Sequence, residues 1–115
     1  MTKDEREELA KNPDTPPETL AELSRDLNWE VYKWVAKNPN TPTETLAELS
    51  RDEEVLVRVY AAGNPSTPLE TLAELSRDQD EWIRTVVAKN PKWKRLEEAG
   101  ILDRAIAASK YLGIL

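Results

Sequence analysis

The stretch NPNTPTETLAELSRD, residues 38–52, decides the fold because the chain contains it three times over. Residues 12–26 read NPDTPPETLAELSRD, and residues 64–78 read NPSTPLETLAELSRD. Asn12, Asn38, Asn64 and Asn90 each precede a proline and follow one another at a single fixed step. A constant period of this kind marks one supersecondary unit stacked on copies of itself. Three units run 12–37, 38–63 and 64–89. Residues 1–11 match the second half of a unit, since Ala10-Lys11-Asn12 reads like Ala36-Lys37-Asn38. Residues 90–115 begin as a unit and then depart, so both flanks read as caps of a single domain spanning 1–115.

Each unit announces two short helices. Thr15, Thr41 and Thr67 stand as N-caps, followed by Pro16, Pro42 and Pro68 at the first helical position and by Glu18, Glu44 and Glu70 to close a capping box. Leu20/Leu23, Leu46/Leu49 and Leu72/Leu75 then share one helical face. Asp26, Asp52 and Asp78 are the expected N-caps of the second helix, which carries Val31/Val35, Val57/Ala61 and Ile83/Val87 at a spacing of four. The Asn-Pro pair ends that helix, because a residue before proline avoids the α region. It is also expected to open a short 3₁₀-type turn. No segment alternates with period two, so no strand is expected. The expected fold is all-α: a right-handed α-solenoid of stacked two-helix, 26-residue repeats, HEAT-like in outline. The Asn ladder reads as a set of corner residues satisfying backbone groups rather than as a recognition row.

Composition narrows the chemistry. The chain has no Cys and no His, which removes disulfides, thiolate nucleophiles, the usual zinc sites and the commonest general base together. Ser24, Ser50 and Ser76 therefore have no imidazole to activate them. The carboxylates of Asp52-Glu53-Glu54 and of Asp78, Asp80 and Glu81 cluster at a helix start, where capping and the macrodipole account for them. There is no calcium loop, Gly-rich phosphate loop or nucleophile elbow. No catalytic residue, cofactor or metal site is expected. A net charge of −6 makes nucleic acid a poor partner. No apolar run suits a signal peptide or a membrane span, so the expected location is cytoplasmic by default.

The unit Asn-Pro-x-Thr-Pro-x-x-x-Leu-Ala-x-Leu-x-x-Asp, followed by Val/Ile-Arg-x-x-Val-Ala-x-Asn-Pro, resembles the leucine-rich repeat variant family. Its second half is matched best at Ile83, Arg84, Val87, Ala88, Asn90 and Pro91. The resemblance covers about residues 1–95 and implies an α-helix and a shorter, partly 3₁₀ helix per repeat, wound into a right-handed superhelix. A Cys-ligated iron–sulfur cluster found in a founding member does not transfer to a chain without Cys. Tyr32 stands where Arg58 and Arg84 stand, and Trp34 and Tyr60 occupy a position the family usually gives to a small residue. The resemblance implies little about function.

The repeats divide into a constant and a variable half. Thirteen of the first fifteen positions are identical in all three copies, but of the last eleven only Ala36/Ala62/Ala88 is. Glu22/Glu48/Glu74 and Arg25/Arg51/Arg77, expected on the surface, have not drifted. The pattern points to an engineered or consensus-based chain with a fixed framework helix and a diversified second helix; recent natural duplication is the alternative. A helical wheel that steps about 100° per residue from Val31 puts Trp29, Glu30 and Lys33 on the side away from the core. Leu56, Val59 and Trp82 thus fall where charged residues belong, with Val55 beside them and Thr85 equivalent to Lys33 and Val59. Trp29, Lys33, Val55, Leu56, Val59, Trp82 and Thr85 form the candidate protein- or peptide-binding face. The partner could equally be another copy of the chain. The alternative is a purely structural or self-associating scaffold with no cognate ligand. Trp34 and Tyr60 adjoin the core arc and read as packing. In the last segment, Leu96, Gly100, Ile101 and Leu102 indicate a helix, a stop and a restart. Ile106, Tyr111, Leu112, Ile114 and Leu115 supply an apolar face, expected to cap the last repeat rather than to serve as an oligomer contact or membrane anchor.

Overall fold

A computed structural model describes residues 1–112; Ile114, Leu115 and the side chain of Leu112 lie outside what is described. Within that span the chain forms α-helices and no strand. The N-terminal helix α1 is Lys3–Lys11. The framework helices are α2, Pro17–Leu23; α4, Thr43–Leu49; and α6, Leu69–Leu75. The variable helices are α3, Trp29–Lys37; α5, Val55–Gly63; and α7, Glu81–Lys89. Two more, α8 (Pro91–Glu98) and α9 (Leu102–Leu112), complete the chain. Helices α1, α3, α5 and α7 stack directly on one another in a row, while each framework helix docks chiefly on the helix beside it. The result is elongated, with extents of 47 × 27 × 20 Å.

The framework helices start one residue later than the Thr-Pro signal suggests. Pro16, Pro42 and Pro68 are themselves the cap residues, held at φ near −60°, and no side chain caps these helices. The threonines are occupied elsewhere. The Thr15, Thr41 and Thr67 hydroxyls donate at 2.6 Å to the carbonyls of Leu9, Val35 and Ala61, in the last turn of the preceding helix. The capping box is found at α1 instead, where Thr2 and Glu5 bond each other reciprocally at 3.1 and 3.0 Å. Asp26, Asp52 and Asp78 are displaced in the same way. Each accepts the backbone N–H two residues on at 2.9 Å, forming a turn before the helix. The caps proper are Asn28 and Asp80, and at α5 the cap position is Glu54, whose side chain makes no capping bond.

The Asn-Pro corners end the variable helices as expected and also join the repeats, but they form single turns rather than 3₁₀ helices, and Asn90-Pro91 opens the α-helix α8. The last carbonyls of any helix lack intrahelical partners. The Asn38 side-chain amide donates at 2.9 Å to one of them, Ala10, and to the corner carbonyl of Asn12, while its carbonyl oxygen accepts from the Asn40 N–H. Asn64 does the same to Ala36 and Asn38 at 2.8 and 2.9 Å, and Asn90 to Ala62 and Asn64 at 2.8 and 3.2 Å. All three are buried. The corner itself is a turn closed by Thr15, Thr41 and Thr67 N–H groups on the carbonyls of Asn12, Asn38 and Asn64. One of the two variable framework positions also reaches backwards: Asn40, Ser66 and, in the cap, Lys92 donate to the carbonyls of Thr15, Pro39 and Thr67.

The core forms two continuous clusters. The first joins Leu20, Leu23, Val31, Val35 and Val57, and the second joins Leu69, Leu72, Leu75, Ile83 and Val87 with Trp93 of α8. The helix–stop–helix reading of the C-terminal segment holds. Gly100 adopts φ +72°, a left-handed conformation that stops α8 and that a side chain would strain. Helix α9 then folds back onto α6, with Leu102, Ala105 and Ile106 against the second cluster and Ser109 buried. Tyr111 does not join that face: it is 88% exposed.

Candidate binding face

The variable helices place the predicted residues at equivalent heights along the stacked row. Trp82, in the first turn of α7, is 53% exposed, and Thr85 is exposed beyond it. On α5, Val55 and Leu56 are half-buried, with Val55 against the second cluster. On α3, Trp29 is half-buried against the first cluster, and Lys33 lies across it with its ammonium 5.3 Å from the ring centroid.

Val59 is the exception. It was expected on the open face but is only 7% exposed, inside the cluster that contains Ile83 and Val87 of α7. A helix in a stack has a neighbour on each side, so the wheel of α5 alone assigns to solvent an arc that the next repeat covers. Thr85 escapes because α7 has no further variable helix beyond it. The face that remains is Trp29, Lys33, Val55, Leu56, Trp82 and Thr85.

Trp34 and Tyr60 pack as expected. Both are half-buried against the core, with ring centroids 5.8 Å apart and planes inclined by 31°. Their outer faces are covered by lysines. The ammonium groups of Lys11, Lys33 and Lys37 lie 4.6, 5.2 and 5.5 Å from the Trp34 centroid, and Lys37 also lies 5.1 Å from that of Tyr60. Sequence reasoning missed this grouping, although Lys11, Lys37 and Lys89 share one repeat position. It also missed Leu27, fully exposed ahead of α3 where the other copies carry Glu53 and Gln79.

The electrostatics of the row follow a second ladder. Arg6 Nε contacts the Asp26 carboxylate at 2.6 Å, and Arg58 Nε contacts Asp78 at 3.1 Å. Between them Tyr32 replaces the arginine opposite Asp52. Burial, and then the nearby Asp52 carboxylate, raise the Tyr32 phenol above its ordinary range. At Asp26 burial works to raise the carboxyl, but the Asn28 N–H and the Arg6 guanidinium outweigh it and hold the carboxyl below its usual range.

Comparison with known families matches the leucine-rich repeat variant over residues 29–54 and again over 55–80, two consecutive units. Residues 29–80 belong to the leucine-rich repeat variant family. The matched units begin at the first residues of α3 and α5, so each pairs a variable helix with the framework helix that follows it. Leucine-rich repeat variant units thus account for the helical repeat. Neither the comparison with curated proteins nor that with solved structures gives a match. Among the described residues, no cluster of His, Cys, Asp or Glu is placed to hold a metal ion, and no helix is long and apolar enough to cross a membrane.

Proposed function

We propose that the chain is a non-enzymatic repeat scaffold that binds a protein or peptide through its variable helices. One observation carries this reading: the positions that differ between copies are concentrated on the stacked variable helices, where they leave Trp82 53% exposed and Trp29 and Leu56 half-exposed. Large aromatic side chains left open on a rigid surface are the usual anchors of protein interfaces. We further propose an engineered or consensus-derived origin. Glu22, Glu48, Glu74, Arg25, Arg51 and Arg77 lie at least partly open to solvent, yet they are identical in every copy. Of these, only Arg51 and Glu74 form an ion pair, at 3.2 Å, among the described residues.

Selection of a displayed peptide library against the chain tests the binding reading. Selected ligands should lose affinity when Leu56 and Trp82 are both changed to Glu, and ligands indifferent to that change would place binding elsewhere. Light scattering over a concentration series separates a face that binds its own copy from one that awaits a foreign ligand. A monomer from which no ligand can be selected would leave the scaffold without a binding function.

A further inference from the structure

The lysines around Trp34 and Tyr60 are unusual in a chain of net charge −6. Three ammonium groups share one indole. Like charges gathered this way repel unless something offsets them. Among the described residues only Lys11 has a carboxylate within reach, Glu8 at 4.0 Å, and neither Lys33 nor Lys37 forms an ion pair. Glu30, which lies near Lys33, accepts a hydrogen bond from the Lys3 ammonium at 2.9 Å.

One position beyond, the row is interrupted. Gly63 stands where the other copies carry Lys11, Lys37 and Lys89. The backbone does not require glycine there, since Gly63 has no positive φ, and an added Cβ would meet only Val86 Cγ1, at 3.4 Å. A helical glycine costs stability relative to alanine. Gly63 lines an open notch of about 340 Å³ with Lys37, Tyr60, Pro65 and Val86. The equivalent notch one repeat earlier, about 380 Å³, has Lys37 in its wall, so glycine does not create the notch but leaves its wall without a cation at that position. The notch is lined mainly by apolar side chains, with the Lys37 ammonium, which forms no ion pair among the described residues, as its one cation.

We propose that this strip docks an acidic peptide segment, with one apolar side chain seated in the Gly63 notch and flanking carboxylates on Lys37 and Lys11. The proposal rests on the reading of the variable helices as binding elements and assigns a ligand chemistry to the strip of Lys11, Lys37 and Gly63, a set of residues separate from Trp29, Leu56 and Trp82. The positive cluster supplies the preference for carboxylates, and the notch supplies the preference for an apolar residue among them.

The test is fluorescence anisotropy at low salt with a labelled peptide in which Glu residues flank a central Phe-Leu pair. Two control peptides carry Lys in place of Glu, or Ser in place of Phe-Leu. The acidic apolar peptide should bind best and weaken as salt is added. Gly63→Lys restores the residue of the other copies, and circular dichroism confirms its folding. It adds positive charge, so simple attraction would tighten binding, whereas a side chain seated in the notch makes it about tenfold weaker. Lys37→Glu should weaken it as well. Equal binding of the Lys control peptide, or undiminished binding to Gly63→Lys, overturns this inference while leaving the binding face intact. If none of these peptides binds, the assigned ligand chemistry is wrong, and the library selection described above then decides separately whether the face binds anything.

Discussion

Asn64 uses one amide to close three backbone groups: the carbonyls of Ala36 and Asn38 and the N–H of Ser66. Changing it to Ala leaves the Ala36 carbonyl and the Ser66 N–H without these partners, while the Asn38 carbonyl keeps the Thr41 N–H. Asn64→Ala should therefore cost about 1–3 kcal/mol, measured by urea unfolding, since each buried group left unpaired carries its own desolvation penalty. Asn12→Ala should cost much less, because Asn12 is exposed and its side chain accepts only the Asp14 N–H. Asp26 gives a pH signature. Its folded carboxyl titrates below the ordinary value of 3.8, so the unfolded state holds the proton more tightly. The stabilisation is present above the ordinary carboxylate range and is lost as pH falls through the depressed value. Thermal melts of Asp26→Asn should show a smaller loss of melting temperature on acidification than the parent chain, and Arg6→Ala should shift in the same direction.

Single helices show how far sequence reading reaches. The period, the Asn-Pro stops, the Gly100 break and the packing of Trp34 and Tyr60 against the core were all legible, because each depends on residues local to one unit or one repeat apart. The Thr15, Thr41 and Thr67 caps were misplaced because a hydroxyl both donates and accepts. Here it donates back to the previous helix, and sequence alone does not distinguish the two uses. Val59 was misassigned because burial in a stack depends on the next helix. Its burial gives opposite predictions for two substitutions that a lone wheel would treat alike. Val59→Glu should cost upwards of about 1.5–3 kcal/mol, the value of burying such a side chain. Trp82→Glu should stay within about 0.5 kcal/mol, as surface changes do. A pair of thermal melts separates them. The lysines around Trp34 escaped notice because they belong to different helices, Lys11 on α1 and Lys33 and Lys37 on α3. Only the stacking of α1 on α3 brings them to one ring.

For the whole molecule, the last two helices close what the repeats leave open. Trp93, Leu96, Leu102 and Ile106 cover the cluster built on Leu69, Leu72 and Ile83. Removing residues 90–115 exposes that cluster and takes away Asn90, which closes the α5 carbonyl of Ala62. The shortened chain should lose its sharp thermal transition and associate, seen by light scattering; a monomer melting as before would show that α8 and α9 contribute nothing to stability. The side-chain amide bonds of the corners all run one way, from each Asn back to the unit before it. This direction matters when a ribosome makes the chain. The carbonyls of Ala10, Ala36 and Ala62 emerge first, and the amides that satisfy them, those of Asn38, Asn64 and Asn90, emerge 28 residues later. Each unit is therefore completed only by its successor, and during synthesis folding must trail the growing end by one repeat.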